Sequence, residues 1–171
     1  MSSEALEKLR SRLRDADRNL LCALSNRACF PRHPRPVFPV EGRRRLVPPP
    51  LDEIWIAICP AGTATDAAPA EKANRDLVAA LAERQRLACE ASDAKAALHP
   101  GDFHAALAVG DREQLARLLE DLFAELQTLD FIRTAAPETA PELDPNLALL
   151  LWREYLLPWL RQTELDHLAA P

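Results

Sequence analysis

An all-α, antiparallel helical bundle is the fold class this sequence predicts, and three observations carry that prediction. Of 171 residues, 48% are hydrophobic but only 5% aromatic. Alanine and leucine supply most of the apolar mass, and both lose little freedom on entering a helix. Four glycines in the whole chain are too few for the tight turns of a β-sandwich or for phosphate-cradling loops. Leucines also recur at three- and four-residue spacing over several long stretches, the period of a helix that buries one face. No apolar run approaches the ~20 residues that span a bilayer.

The first helix, A, is expected from Ser3 to Asn26, with Ser3 as N-cap and a stripe of Leu6, Leu9, Leu13, Leu20 and Leu24. Pro31, Pro34 and Pro36 end it. Residues 29–70 then change character, holding nine of the fifteen prolines and an Arg43-Arg44-Arg45 run. Inside this insertion, Pro48-Pro49-Pro50 followed by Leu51–Ile58 reads as a short helix with an apolar face. Helix B is expected over Pro69–Leu98, on a stripe of Leu77, Leu81, Leu87, Ala88, Ala91 and Leu98, and His99-Pro100-Gly101 ends it. A short helical piece follows around Phe103–Val109. Helix C opens at Asp111, with Gln114 three residues on, and continues through Leu115, Leu118, Leu119, Leu122, Phe123 and Leu126. After a linker at Ala135–Pro145, helix D runs from Asn146 to Leu168, with Pro158 predicting a kink. One helical domain covering 1–171, with the insertion between A and B, is the expected organisation.

Charge and composition narrow the function. Twenty-one basic against 26 acidic residues give a formal charge of −5, which argues against general nucleic-acid binding. Cys22, Cys29, Cys59 and Cys89 show no C-x-x-C pair, and the four histidines show no metal spacing, so neither a metal nor any other cofactor is expected. Charges in Met1–Lys8, where a signal peptide needs an apolar core, make the cytoplasm the expected location.

The informative charges are those that interrupt apolar stripes. Leu77, Arg84, Ala91 and Leu98 share a face of helix B at seven-residue spacing, and the neighbouring stripe of Leu81 and Ala88 ends on Lys95. Arg84 and Lys95 are eleven residues apart, about 16 Å along one face. Arg10, Arg27 and Arg112 fall in comparable positions on helices A and C. Cations on an apolar face are costly unless an anion meets them. One solution is a small ligand with two or more carboxylates, gripped by arginine forks. The other is that these cations reach solvent at the stripe edges or pair with Asp17, Glu83 and Glu90.

Two of these segments resemble the all-α (AroQ-class) chorismate mutases. Arg10, Asp17 and Arg27 on helix A match the family's first-helix spacing, and Arg84 with Lys95 on helix B match its continuation. Asn74 stands at that family's Asp position in helix B, Ala67 at its early Arg position, and Phe38 where helix A would supply the lysine. Asp111-Arg112-Glu113 looks like the second-helix motif, with Val109 in place of its upstream Asp, and Leu151–Gln162 resembles the third helix. The resemblance implies an isomerase that rearranges chorismate to prephenate without a cofactor. It implies Arg10 and Arg84 on the carboxylates, Lys95 and Gln162 (or Thr163) on the ether oxygen, and Arg112 with Glu113 ordering the ligand's hydroxyl. It further suggests that the insertion lets helix A fold back on helix B, completing a site within one chain as a monomer, whereas a helix-swapped homodimer is the alternative. An isochorismate pyruvate-lyase, or a helical interaction module that has lost the activity, would also satisfy these residues. No nucleic acid and no membrane is implied as a partner.

Overall fold

A computed structural model of the chain describes residues 3–34, 36, 49–62 and 67–170, apart from the side chains of Ser3, Glu4 and Leu6. The Arg43-Arg44-Arg45 run, Arg35, and the expected Ser3 cap lie outside that description. The elements are α1 (Ser3–Ala28), α2 (Leu51–Ile58), α3 (Ala67–Leu98), α4 (Pro100–Val109), α5 (Arg112–Leu119), α6 (Leu122–Thr139) and α7 (Pro145–Leu151). A π turn at Trp152–Leu156 then leads into α8 (Leu157–Leu168). The described residues contain no strand, and no described helix is long and apolar enough to cross a membrane.

Helices α1 and α3 form the frame. They run antiparallel, because contacts along α1 meet falling positions on α3: Arg12 with Glu90, Asp17 with Arg84, and Arg27 with Asn74. Helix α6 runs parallel to α1, from the Arg18 guanidinium over the Phe131 ring to the Cys22 thiol on the Thr139 carbonyl. Leu20, Leu21, Leu24, Leu77, Leu81, Ile132, Leu151 and Trp152 are fully buried between these helices. Removal of such side chains from water is the main source of stability in the bundle. A smaller apolar cluster of Phe103, Ala106, Leu115 and Leu119 holds α4 and α5 against α8.

The described part of the insertion packs on one end of the frame. α2 buries Ile54, Trp55 and Ile58, as its spacing predicts. Arg27, expected on an inner face, is completely buried with neutral partners only: its Nε donates to Asn74 Oδ1 (2.5 Å) and its Nη groups to the carbonyls of Phe30, Pro31, Arg32 and Pro34. Asn74 Nδ2 donates to the Pro34 carbonyl as well (2.9 Å). One cation thus gathers the carbonyls of the proline turn that ends α1. Burial lowers the Arg27 pKa, and burial pushes the neighbouring Cys59 thiol up to about 11.

Three boundaries differ from expectation. Helix C is two helices: α5 ends at Leu119, Glu120 is extended, and the Asp121 carboxylate caps α6 by accepting from Ala124 N–H (3.0 Å). The leucine period runs through this break unchanged, which is why the sequence pattern conceals it. Helix α6 then continues through Pro137 to Thr139, where a linker from Ala135 was expected, because Ala136 and Ala140 are wholly buried against the core. Third, Pro158 is met by a π turn. Proline has no N–H and its ring crowds the carbonyl four residues back. The turn widens just ahead of it, so Leu157 N–H bonds to Trp152 O, five residues back. Gly110, at φ +68, closes α4 in the left-handed conformation that glycine adopts at little cost.

Candidate active site

Folding α1 against α3 brings Arg10, Arg84 and Lys95 to one cavity of about 260 Å³. Its walls are the first half of α1, the second half of α3, the α5–α6 junction and α8. Leu9, Leu13, Leu98, Leu157 and Leu160 make the apolar lining, and charge enters at a few defined points.

Arg84 is the best fixed of these charges. Its Nε donates to Asp17 Oδ1 at 2.8 Å, with both side chains almost fully buried. The same oxygen accepts the Trp152 indole N–H at 3.3 Å. Among the described residues the guanidinium donates no other hydrogen bond, so its Nη groups remain available to an anion. Lys95 is partly buried. Its ammonium donates to the Leu119 carbonyl at 2.7 Å and to Glu164 Oε2 at 3.0 Å. The Leu119 carbonyl is available because α5 stops there, so the helix break supplies the acceptor that orients Lys95. Arg10, by contrast, stands at the rim, 65% exposed and 3.6 Å from Glu7.

Two lining residues were not expected from the sequence. Glu164 faces Lys95 from α8, and burial pushes its carboxyl above the usual carboxylate range against the opposing pull of Lys95 and Arg84. Arg161 lines the same cavity and forms a two-pronged pair with Glu125 of α6; that hydrogen bond raises its pKa further. The signal for both was present. Leu157, Leu160 and Leu168 share a stripe with Glu164, a charge on an apolar face of the same kind that singled out Arg84.

The remaining candidates sit elsewhere. Gln162 is exposed and donates to Asp166 (2.9 Å), and Arg112 pairs with the same carboxylate. Glu113, 83% exposed, pairs with Arg117 at 3.4 Å. Glu113 and Gln162 line a separate open groove on the outer side of α5 and α8. Thr163 is buried, its hydroxyl accepting from Gln85 Nε2 at 3.5 Å. The one-residue turn of phase between Gln162, Thr163 and Glu164 follows from helical geometry: each step rotates a side chain by ~100°, so only one of the three can face the cavity.

No protein-family model matches the sequence, and no curated protein matches it. The structure is similar to the crystal structure of the chloroplast chorismate mutase from Zea mays, with a TM-score of 0.79 and 17% sequence identity over 99% of this chain and 96% of that one. A cationic cavity framed by α1, α3 and α8 therefore sits within a chain that has the all-α chorismate mutase fold.

Proposed function

We infer that the protein is a chorismate mutase, an isomerase that converts chorismate to prephenate. The observation that carries this reading is the convergence of Arg10, Arg84, Lys95 and Glu164 on one small cavity of a single chain. The reaction breaks an ether C–O bond while a C–C bond forms within the same molecule, and no proton, electron or group is exchanged. A catalyst has two tasks: to hold a flexible dicarboxylate folded, and to stabilise the charge building on the ether oxygen.

Arg84, positioned by Asp17, receives one carboxylate on its free Nη groups, the geometry in which arginine recognises carboxylates best. Arg10 at the rim moves from its weak surface pair with Glu7 to the second. Lys95 donates to the ether oxygen. Glu164, whose carboxyl burial pushes above the usual carboxylate range, is in its protonated form a second donor to that oxygen. The leucine walls lower the local polarity around Arg84, Lys95 and Glu164, which strengthens their interactions.

The test is loss of chorismate absorbance with purified protein and identification of prephenate, beside Arg84→Ala. A kcat/KM that falls roughly 100-fold in the variant, as the loss of about 2.7 kcal/mol of charge-assisted carboxylate binding would give, supports the reading. A folded protein with no turnover overturns it and favours an interaction module; release of pyruvate from isochorismate instead would point to the lyase.

A further inference from the structure

Behind the cavity lies a relay that the resemblance does not supply. Trp152 is completely buried, and a buried indole N–H requires an acceptor. Here that acceptor is Asp17 Oδ1 at 3.3 Å, the atom that also takes Arg84 Nε at 2.8 Å. The three groups come from three elements: the start of the π turn, α1 and α3.

A carboxylate held by one donor can rotate about its Cβ–Cγ bond and carry that donor with it. Two donors converging on one oxygen from different helices fix where that oxygen lies. Arg84 is a long side chain, and its rotamers must be frozen when an anion binds unless the protein has frozen them already. It is tethered here through Nε alone, so the part of the guanidinium that would meet the ligand is left free. The π turn contributes to the placement. In an unbroken helix Trp152 and Glu164, twelve residues apart, would diverge by about 120° around the axis. The slower advance of the π turn brings the two toward one face, so one helical rod can serve Arg84 from behind with Trp152 and the cavity with Glu164.

We propose that the Trp152 indole N–H is a positioning group which, acting through Asp17, sets the Arg84 guanidinium for binding a ligand carboxylate. The assignment of that ligand as chorismate rests on the function proposed above; the positioning itself does not.

Trp152→Phe keeps an aromatic core residue while removing the donor and part of the ring volume. Its effect is read in two ways. The first requires no ligand: the ¹⁵N-edited NMR signal of Arg84 Nε–H, assigned by its loss in Arg84→Lys, is expected to shift and to exchange faster with solvent in Trp152→Phe. The second is chorismate kinetics. KM is expected to rise about tenfold, equivalent to about 1.4 kcal/mol, with kcat changed much less. In an Arg84→Ala background the same substitution is expected to change KM by less than about twofold, because the relay then has no endpoint. An unchanged Arg84 signal in the folded variant overturns the proposal, as does an equal KM effect with and without Arg84. A shifted signal in a protein that neither binds nor turns over chorismate upholds the positioning role and refutes only the choice of ligand.

Discussion

Replacing Asp17 with alanine leaves the Arg84 cation buried without its counter-charge and the Trp152 indole without its acceptor. The two side chains of the pair are only 3% and 9% exposed, so solvent screening offers little relief. Breaking a buried pair on one side costs about 3–5 kcal/mol, and the stranded indole donor falls within the same loss, since both donors share one oxygen. For a chain of this size each kcal/mol lowers the melting temperature by roughly 2–4 °C, so Asp17→Ala is expected to melt some ~6–20 °C below the wild type. The assay is urea and thermal unfolding followed by far-ultraviolet circular dichroism. Asp17→Leu combined with Arg84→Met separates the pair from the space it fills. Removing both charges while keeping volume is typically neutral or stabilising, so the double variant should be more stable than Asp17→Ala. A single variant within about 1 kcal/mol of wild type, or a double variant less stable than the single, would refute the buried-pair argument.

Two further outcomes follow from other charges. Burial holds the Glu164 pKa above its unfolded value, so its proton is retained in the folded state at pH values where the unfolded chain has lost it. Its contribution to stability is therefore present at acid pH and declines as pH rises through the folded pKa. Turnover should decline over the same window, and Glu164→Gln, which keeps a donor without titrating, should flatten the pH dependence of both chorismate kinetics and unfolding. Arg27→Met strands the carbonyls of Phe30, Pro31, Arg32 and Pro34 and is expected to cost about 3 kcal/mol or more, measured by urea unfolding. Because Arg27 is seventeen residues along α1 from Arg10, about 25 Å away, KM for chorismate should be unchanged. A raised KM would place Arg27 in a site.

The helices were legible wherever an apolar stripe had punctuation at its ends. Pro31 follows α1, Pro50 and Pro60 flank α2, and His99-Pro100 ends α3, and their apolar spacing predicts the faces they bury. The α5–α6 break was hidden because Leu115, Leu119, Leu122 and Leu126 keep their period across it. Only the structure shows that Leu122, Phe123 and Leu126 end up exposed. Pro137 reads as a linker residue in isolation, and tertiary burial of Ala136 overrides it. In the cavity, Arg84 and Lys95 stood out because a cation in a leucine stripe is conspicuous. Glu164 broke the stripe of α8 in the same way, but the expected kink at Pro158 obscured the phase of that helix. Whether a charge in a stripe faces a ligand or another residue of the chain depends on partners distant in sequence. Arg27, Asn74 and the Pro34 carbonyl come together only through the fold.

The antiparallel hairpin of α1 and α3 also has a genetic consequence. Arg10 of α1 and Arg84 of α3 line one cavity of a single chain, so complementation between two defective copies reports whether α1 stays with its own α3. Mixing chains that carry Arg10→Ala with chains that carry Arg84→Ala regains no activity when each cavity is built from one chain, and regains part of it when α1 is exchanged between chains.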